Sequence, residues 1–385
     1  MNTPRRHLLD ESRDSLSEWM VRSGEPAFRA TQVLEWVYHR HMTDFATMTN
    51  LSKTLRERLT NEFEIFTSRV VRRMDARDGT VKLLLEWPDA ATSECVLIPD
   101  GPRRGGGFDR MTACIGSQVG CPVGCRFCAS GVDGVERNLT RGQIVEQVLR
   151  VDQLARSIHA PRPAAASRVR SPHALTNIVF MGSGEPLANY SNVLAAIATL
   201  KADWGPHVGA RKITISTVGL PKQIRRLADE GLQINLALSV HAPNDALRRE
   251  LIPWAEQIGL DELVRACQHY FERTGREITL EYILLAGVND RAEHARELAA
   301  LAKRLRCNVN LIRFNPVSPL PFGRPTSEST LRFQQILRQA GVNTHVRKAR
   351  GLDIDAACGQ LRRRVRGESA VALTVSVAAN PTEPS

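Results

Sequence analysis

The sequence predicts an α/β fold: a barrel of parallel strands, complete or partial, entered through a helical and β accessory module. Three observations carry this expectation. From residue 177 onward, short strand-like apolar runs alternate with helical stretches, and regular βα alternation implies parallel strands with helices packed outside. Residues 26–60 place apolar side chains at helical spacing, whereas 70–99 consists of short apolar runs broken by Asp78-Gly79, a hairpin signature. The 385 residues, 42% hydrophobic and 24% charged, are enough for about two to three domains with a sizeable core. Disorder, collagen and coiled coil are excluded as whole-chain readings.

In order, Val33, Trp36 and Val37 share one helical face, and Leu51, Leu55 and Leu59 recur on a second helix. The stretches 103–107 and 160–172, rich in Gly and Arg or in Pro, Ala, Ser and Arg, read as surface loops. Strands are expected at 177–181, 212–217, 233–240, 277–284, 308–314 and 343–348. Helices are expected at 192–200, 222–230, 260–273, 292–305 and 331–339. Barrel chemistry sits at the C-terminal ends of the strands, so the loops at 182–186, 216–217, 239–241 and 315–316 should converge on one site. The sequence from about 367 has no periodicity and reads as a mobile tail. The expected division is 1–95 accessory, 96–358 barrel core with its active-site loops, and 359–385 basic segment and tail.

Lys and Arg number 52 against 41 acids, a net charge of +11, which favours a polyanionic partner or a solvated basic surface. No run of 18 or more apolar residues occurs, and residues 1–7 lack the apolar stretch of a signal peptide. A cytoplasmic protein without membrane contact is expected. Of the eight cysteines, Cys121, Cys125 and Cys128 lie close together, which points to metal or redox chemistry over a disulfide framework. Cys95, Cys267 and Cys307 have no motif around them and read as structural.

Cys121, Cys125 and Cys128 form C-x3-C-x2-C, one thiolate short of a closed tetrahedral zinc site or a fully ligated cubane. An open metal position is implied. On a [4Fe-4S] cluster, the fourth iron is left to bind S-adenosylmethionine, whose sulfonium bond is then cleaved by one electron. The competing reading is zinc with a distant fourth ligand. With Phe127 before the last cysteine and a βα barrel following, the motif resembles the radical SAM superfamily. The match narrows over Cys114-Ile115-Gly116-Ser117-Gln118-Val119-Gly120-Cys121, Arg137-Asn138-Leu139-Thr140, Met181-Gly182-Ser183-Gly184-Glu185-Pro186, Leu238-Ser239-Val240-His241-Ala242-Pro243-Asn244-Asp245 and Asp353-Ile354-Asp355-Ala356-Ala357-Cys358-Gly359-Gln360-Leu361. From about residue 26 to 362 the chain resembles the RlmN and Cfr adenine methyltransferases of RNA.

The resemblance implies methylation of an adenine carbon in 23S ribosomal RNA, at carbon 2 and with tRNA as a second substrate for the RlmN type, or at carbon 8 for the Cfr type. Such carbons are electron-poor and bear hydrogens that are not usefully acidic, so a one-electron cofactor answers the need. By resemblance, Cys358 accepts a methyl group from one S-adenosylmethionine and a second molecule, cleaved at the cluster, activates it. Two are then used per turnover, with a flavodoxin- or ferredoxin-like electron donor. Cys114 resolves the RNA adduct by closing a disulfide with Cys358, and Glu94 accepts the proton. The carry-over assigns cofactor contacts to Gly184, Glu185, Ser216, Ser239, Val240, His241 and Asn315. Two competing classes are a radical SAM enzyme acting on a protein or small molecule, and a non-catalytic RNA-binding protein with a structural cluster.

Overall fold

The computed structural model describes residues 5–102, 107–158, 173–316, 320–351, 353–354, 359–365 and 367. The chain begins with strand β1 (Arg6–His7), followed by helices α1 (Arg13–Arg22), α2 (Arg29–Tyr38) and α3 (Lys53–Glu62), and by β2 (Phe63–Glu64), which pairs in parallel with β1. Ser12 caps α1 by accepting the Ser15 amide, and Ser15 returns the bond to the Ser12 N–H. Ser52 caps α3 through the Leu55 amide. Leu16, Trp19 and Met20 of α1, Val33, Leu34, Trp36 and Val37 of α2, and Leu55 and Leu59 of α3 are buried in the main core.

A ten-stranded sheet follows. Its first part is antiparallel: β3 (Arg69–Asp75), β4 (Val81–Glu86), β5 (Thr92–Pro102) and β6 (Phe108–Cys114). A small hairpin, β7 (Gln118–Gly120) with β8 (Val135–Asn138), stands apart from it and brackets the cysteine motif. After α4 (Arg141–Ile158) comes the alternation that the sequence predicts: β9 (Asn177–Phe180), α5 (Tyr190–Lys201), β10 (Ile213–Thr217), α6 (Pro221–Asp229), β11 (Asn235–Ser239), α7 (Asp245–Leu251), α8 (Leu260–Thr274), β12 (Ile278–Leu284), α9 (Ala292–Ala302), β13 (Cys307–Arg313), α10 (Ser327–Gln339) and β14 (Thr344–Val346).

The strand order is β14-β13-β12-β11-β10-β9-β6-β5-β4-β3, with β6 and β9 to β14 parallel. Among the described residues the edge strands β14 and β3 are not joined, so the barrel is partial. The antiparallel strands continue the barrel sheet, and β5 runs through the position between residues 95 and 96.

Several elements escape the sequence reading: α1, α4, α7, β6 and the β7–β8 hairpin. Helix α4 buries Glu146, Gln147 and Asp152 beside Ile144, Val145, Val148 and Leu149, which blurs its apolar stripe. Strand β6 has few large apolar side chains, and its ladder with β5 and β9 holds it instead. The loops expected at 103–107 and 160–172 and the expected tail lie almost wholly outside the described residues.

Candidate active site

The parallel strands deliver their following loops to one end of the sheet. There the segment after β6 is sewn to the segment after β9. The Ile115 N–H donates to the Val179 carbonyl, the Gly182 N–H to that of Ile115, and the Ser117 N–H to that of Ser183, at 2.9–3.0 Å. Gln147 of α4 grips both sides of Gly116, accepting its N–H and donating to its carbonyl. Gln118 accepts the Glu185 N–H at 2.8 Å. Gly184 has φ +106, and a Cβ there would sit 2.7–2.8 Å from Ser117 and Gln118, so only glycine lets the two loops approach this closely.

Between β7 and β8 lie the three cysteines. The Cys121 N–H donates to the Gly134 carbonyl, the Arg126 N–H to that of Leu251, and the Cys128 N–H to that of Cys125. Their partly buried side chains line an apolar group of Val123, Phe127, Val218, Leu251, Leu285 and Phe314. Burial pushes the Cys121 thiol up to about 12, with the Val123 amide opposing and the Cys128 and Glu185 charges adding. Cys125 is driven well above its ordinary value by burial and by Cys128 and Cys121. Thiolates at Cys121 and Cys125 are therefore favoured only beside a cation.

Nearby, Arg248 is buried, donating to the Val218 carbonyl at 2.6 Å and to that of Ile258 at 3.1 Å. Burial lowers its pKa to about 10, but the guanidinium stays charged next to Cys125.

The residues expected to contact S-adenosylmethionine lie at or just past the C-terminal ends of β9, β10, β11 and β13. Glu185 is buried, its carboxylate accepting the Leu187 N–H at 3.0 Å and the Val218 N–H at 2.8 Å. Burial raises its pKa to about 7 against those donors and the Thr217 hydroxyl. Ser216 and Ser239 share a hydroxyl contact of 3.1 Å across β10 and β11. The Val240 amide donates to the Glu281 carbonyl. His241 sits at φ +55 with its ring edge-on to Phe127, and its Nδ1 accepts the Ile283 N–H at 3.1 Å. Burial, then the Arg248 charge, lowers its pKa to about 3, so the ring is neutral. Asn315 is partly buried just past β13, next to Phe314 of the apolar group.

Cys114 ends β6, buried among Val96, Val179, Ile98 and Met181. Cys358 lies outside the described residues. Its neighbour Gly359 is buried, and its N–H donates to Glu94 at 2.9 Å. The other Glu94 oxygen accepts the Arg362 N–H at 2.7 Å, so the carboxylate caps the helical turn at 360–365. Lys82 on β4, fully buried, donates to Glu94 at 2.9 Å. Gly359 has φ +81, and a Cβ there would meet the Ser130 nitrogen at 2.7 Å, in the turn that follows Cys128. Glu94, the residue after Cys358 and the cysteine loop are thus in direct contact.

Comparison with known proteins agrees with this geometry. Residues 6–65 match the ribosomal RNA large subunit methyltransferase N-terminal domain, and residues 115–299 the radical SAM superfamily. The probable dual-specificity RNA methyltransferase RlmN of Rhodopirellula baltica is 44% identical, over 94% of this chain and 92% of its own. The chain belongs to the RlmN family. The corresponding protein of Thermosynechococcus vestitus is 43% identical over 92% of this chain and 98% of its own. A crystal structure of a radical SAM methyltransferase from Sphaerobacter thermophilus superposes with TM-score 0.83 at 43% identity, covering 93% of this chain and 99% of that one. This RlmN-family chain is a radical SAM methyltransferase, and the family implies a [4Fe-4S] cluster and S-adenosylmethionine. Cys121, Cys125 and Cys128 fit the cluster, and the buried Arg248 charge complements it.

Sequence reading missed Lys82, Gln147 and Arg248, and met Gln118 and Gly359 inside motifs without giving them a role. Lys82 carried a signal, a lone cation inside Val81-Lys82-Leu83-Leu84-Leu85. Part of the basic excess is engaged within the protein: Arg73 pairs with Asp75, Arg347 with Glu281, Arg350 with Asp100, and Arg362 with Glu136.

Proposed function

We propose that this enzyme methylates carbon 2 of an adenine in 23S ribosomal RNA and of an adenine in tRNA, with Cys358 carrying the methyl group. The observation that bears most weight is the placement of Gly359. It seats the residue next to Cys358 against the turn that follows Cys128, in a chain whose relatives are named dual-specificity RNA methyltransferases. When bound, the cluster supplies the single electron that splits S-adenosylmethionine, and two such molecules are used per turnover. The electron comes from a flavodoxin- or ferredoxin-like donor.

The chain's own residues do the rest. Cys114, as thiolate, attacks the sulfur of Cys358. The bond from that sulfur to the adenine-borne carbon breaks, and the carbon keeps the electron pair and is protonated to the methyl group. The disulfide left behind, whose Cα atoms must approach to about 5.5 Å, is reduced back to two thiols by an external dithiol. A carboxylate has about four acceptor positions; Lys82, Gly359 and Arg362 occupy three on Glu94. Taking the proton from the substituted adenine carbon therefore weakens the cap on the segment that begins beside Cys358. Glu185, Ser216, Ser239, Val240, His241, Gly184 and Asn315 hold S-adenosylmethionine. No helix among the described residues is long and apolar enough to cross a membrane, and we place the enzyme in the cytoplasm with its RNA. Mass spectrometry of nucleosides from RNA treated with the enzyme tests the assignment. The product should comigrate with 2-methyladenosine; comigration with the carbon 8 isomer would overturn it.

A further inference from the structure

Far from the cysteine loop, three side chains from three parts of the chain converge. His41 follows α2 in the N-terminal helical part, Asp152 lies near the end of α4, and His173 leads into β9. They sit where the chain enters a strand, the end of a βα sheet associated with stability and not with chemistry. Both rings turn Nδ1 toward the same oxygen, Asp152 Oδ2: His173 at 3.0 Å and His41 at 3.6 Å. The second distance is too long for a hydrogen bond. The second matches the edge of a coordination tetrahedron, since ligand bonds of about 2.0–2.1 Å give edges of about 3.4 Å; the first is a hydrogen bond that opens by about 0.4 Å when an ion takes the proton's place.

We propose that His41, Asp152 and His173 form a site for one divalent transition-metal ion, Zn²⁺, that ties the N-terminal helices to the barrel. Two imidazoles and a carboxylate select zinc over the oxygen-seeking cations, and a water completes the four-coordinate shell. Asp152 is fully buried and already oriented, because its other oxygen accepts the Ala174 N–H at 2.8 Å and the Leu175 N–H at 3.1 Å. Such fixing of a ligand carboxylate is what metal sites require of their surroundings. The His41 and His173 rings stand edge to face, 5.0 Å apart. Arg156, 3.6 Å from the same oxygen, is 43% exposed, so its charge is partly screened by solvent.

The test uses full-length, cluster-loaded protein and its His41→Gln variant, dialysed against zinc chloride under anaerobic conditions. Metal content and zinc-edge X-ray absorption are read together. One zinc per chain in a nitrogen and oxygen shell, absent from His41→Gln while iron content is unchanged, is the expected result. Zinc at a hundredfold excess over its Kd should also raise the folded-to-unfolded ratio about 100-fold in the wild type alone. Asp152→Asn should likewise lose the metal. Zinc bound through sulfur, zinc retained by His41→Gln, or none bound above the buffer level would each overturn the assignment. RNA methylation is not the readout, so this site stands or falls apart from the proposed function.

Discussion

Replacing Gly359 by Ala probes the junction on which the site is built. Gly359 occupies φ +81, and an added Cβ would lie 2.7 Å from the Ser130 nitrogen and 2.9 Å from the Ala129 carbonyl carbon. These are backbone atoms, so no side-chain rotation relieves the overlap. The left-handed conformation costs an L residue about 1–2 kcal/mol, which by itself shifts the balance toward the undocked state, in which the Glu94 hydrogen bond is given up, by about 5- to 30-fold, and the backbone overlap adds to it. Ala129 and Ser130 are buried beside the cysteines, so iron content should hold while the terminal segment moves. Hydrogen exchange over residues 359–365 should accelerate, and incorporation of labelled methyl at Cys358 should fall in parallel. Wild-type protection and methyl incorporation in Gly359→Ala would refute the contact.

Other consequences follow from buried charge. Lys82→Met leaves Glu94 without its buried cation and should cost about 3–5 kcal/mol in denaturant unfolding; adding Glu94→Gln should recover part of it, and strict additivity in that cycle would contradict direct pairing. Glu146 of α4 accepts the Thr67 and Ser68 amides at 2.9 and 3.0 Å. Burial works to raise its pKa, but the facing His7 ring, Ser68 and Thr67 outweigh it and lower it from 4.5 to about 2. A depressed carboxylate contributes stability that is complete above its unfolded pKa and is lost as pH falls, here from about 4.5 toward 2, on the order of 3 kcal/mol. Glu146→Gln should flatten that part of the unfolding curve, and an unchanged slope would count against it. Cys114→Ala should accumulate protein crosslinked to RNA, seen as a slow band in denaturing gels; release of methylated RNA at the wild-type rate would exclude its resolving role.

The parallel strands were legible because each apolar run is followed by a helix of clear period, from β9 through β14. Helix α4 was not, since Glu146, Gln147 and Asp152 are buried for what they hold: the Thr67 and Ser68 amides, Gly116, and the lead into β9. Periodicity counts such residues as solvent-facing. In the site, C-x3-C-x2-C could be read because its ligands are adjacent in sequence. The Glu94 contacts to Gly359 and Arg362 span more than half the chain, and nothing local to either partner marks them. Charge counting also cannot separate an arginine that meets phosphate from one like Arg362, buried and paired with Glu136.

The central claim is that three cysteines leave one iron open to S-adenosylmethionine. Electron–nuclear double resonance on the anaerobically reduced protein, with the cofactor labelled by nitrogen-15 in its amino group and oxygen-17 in its carboxylate, tests this directly. Hyperfine coupling from both labels to the cluster is predicted, and should vanish in Cys125→Ala. A reduced cubane that shows neither coupling, with a fourth protein side chain on its last iron, would contradict the account.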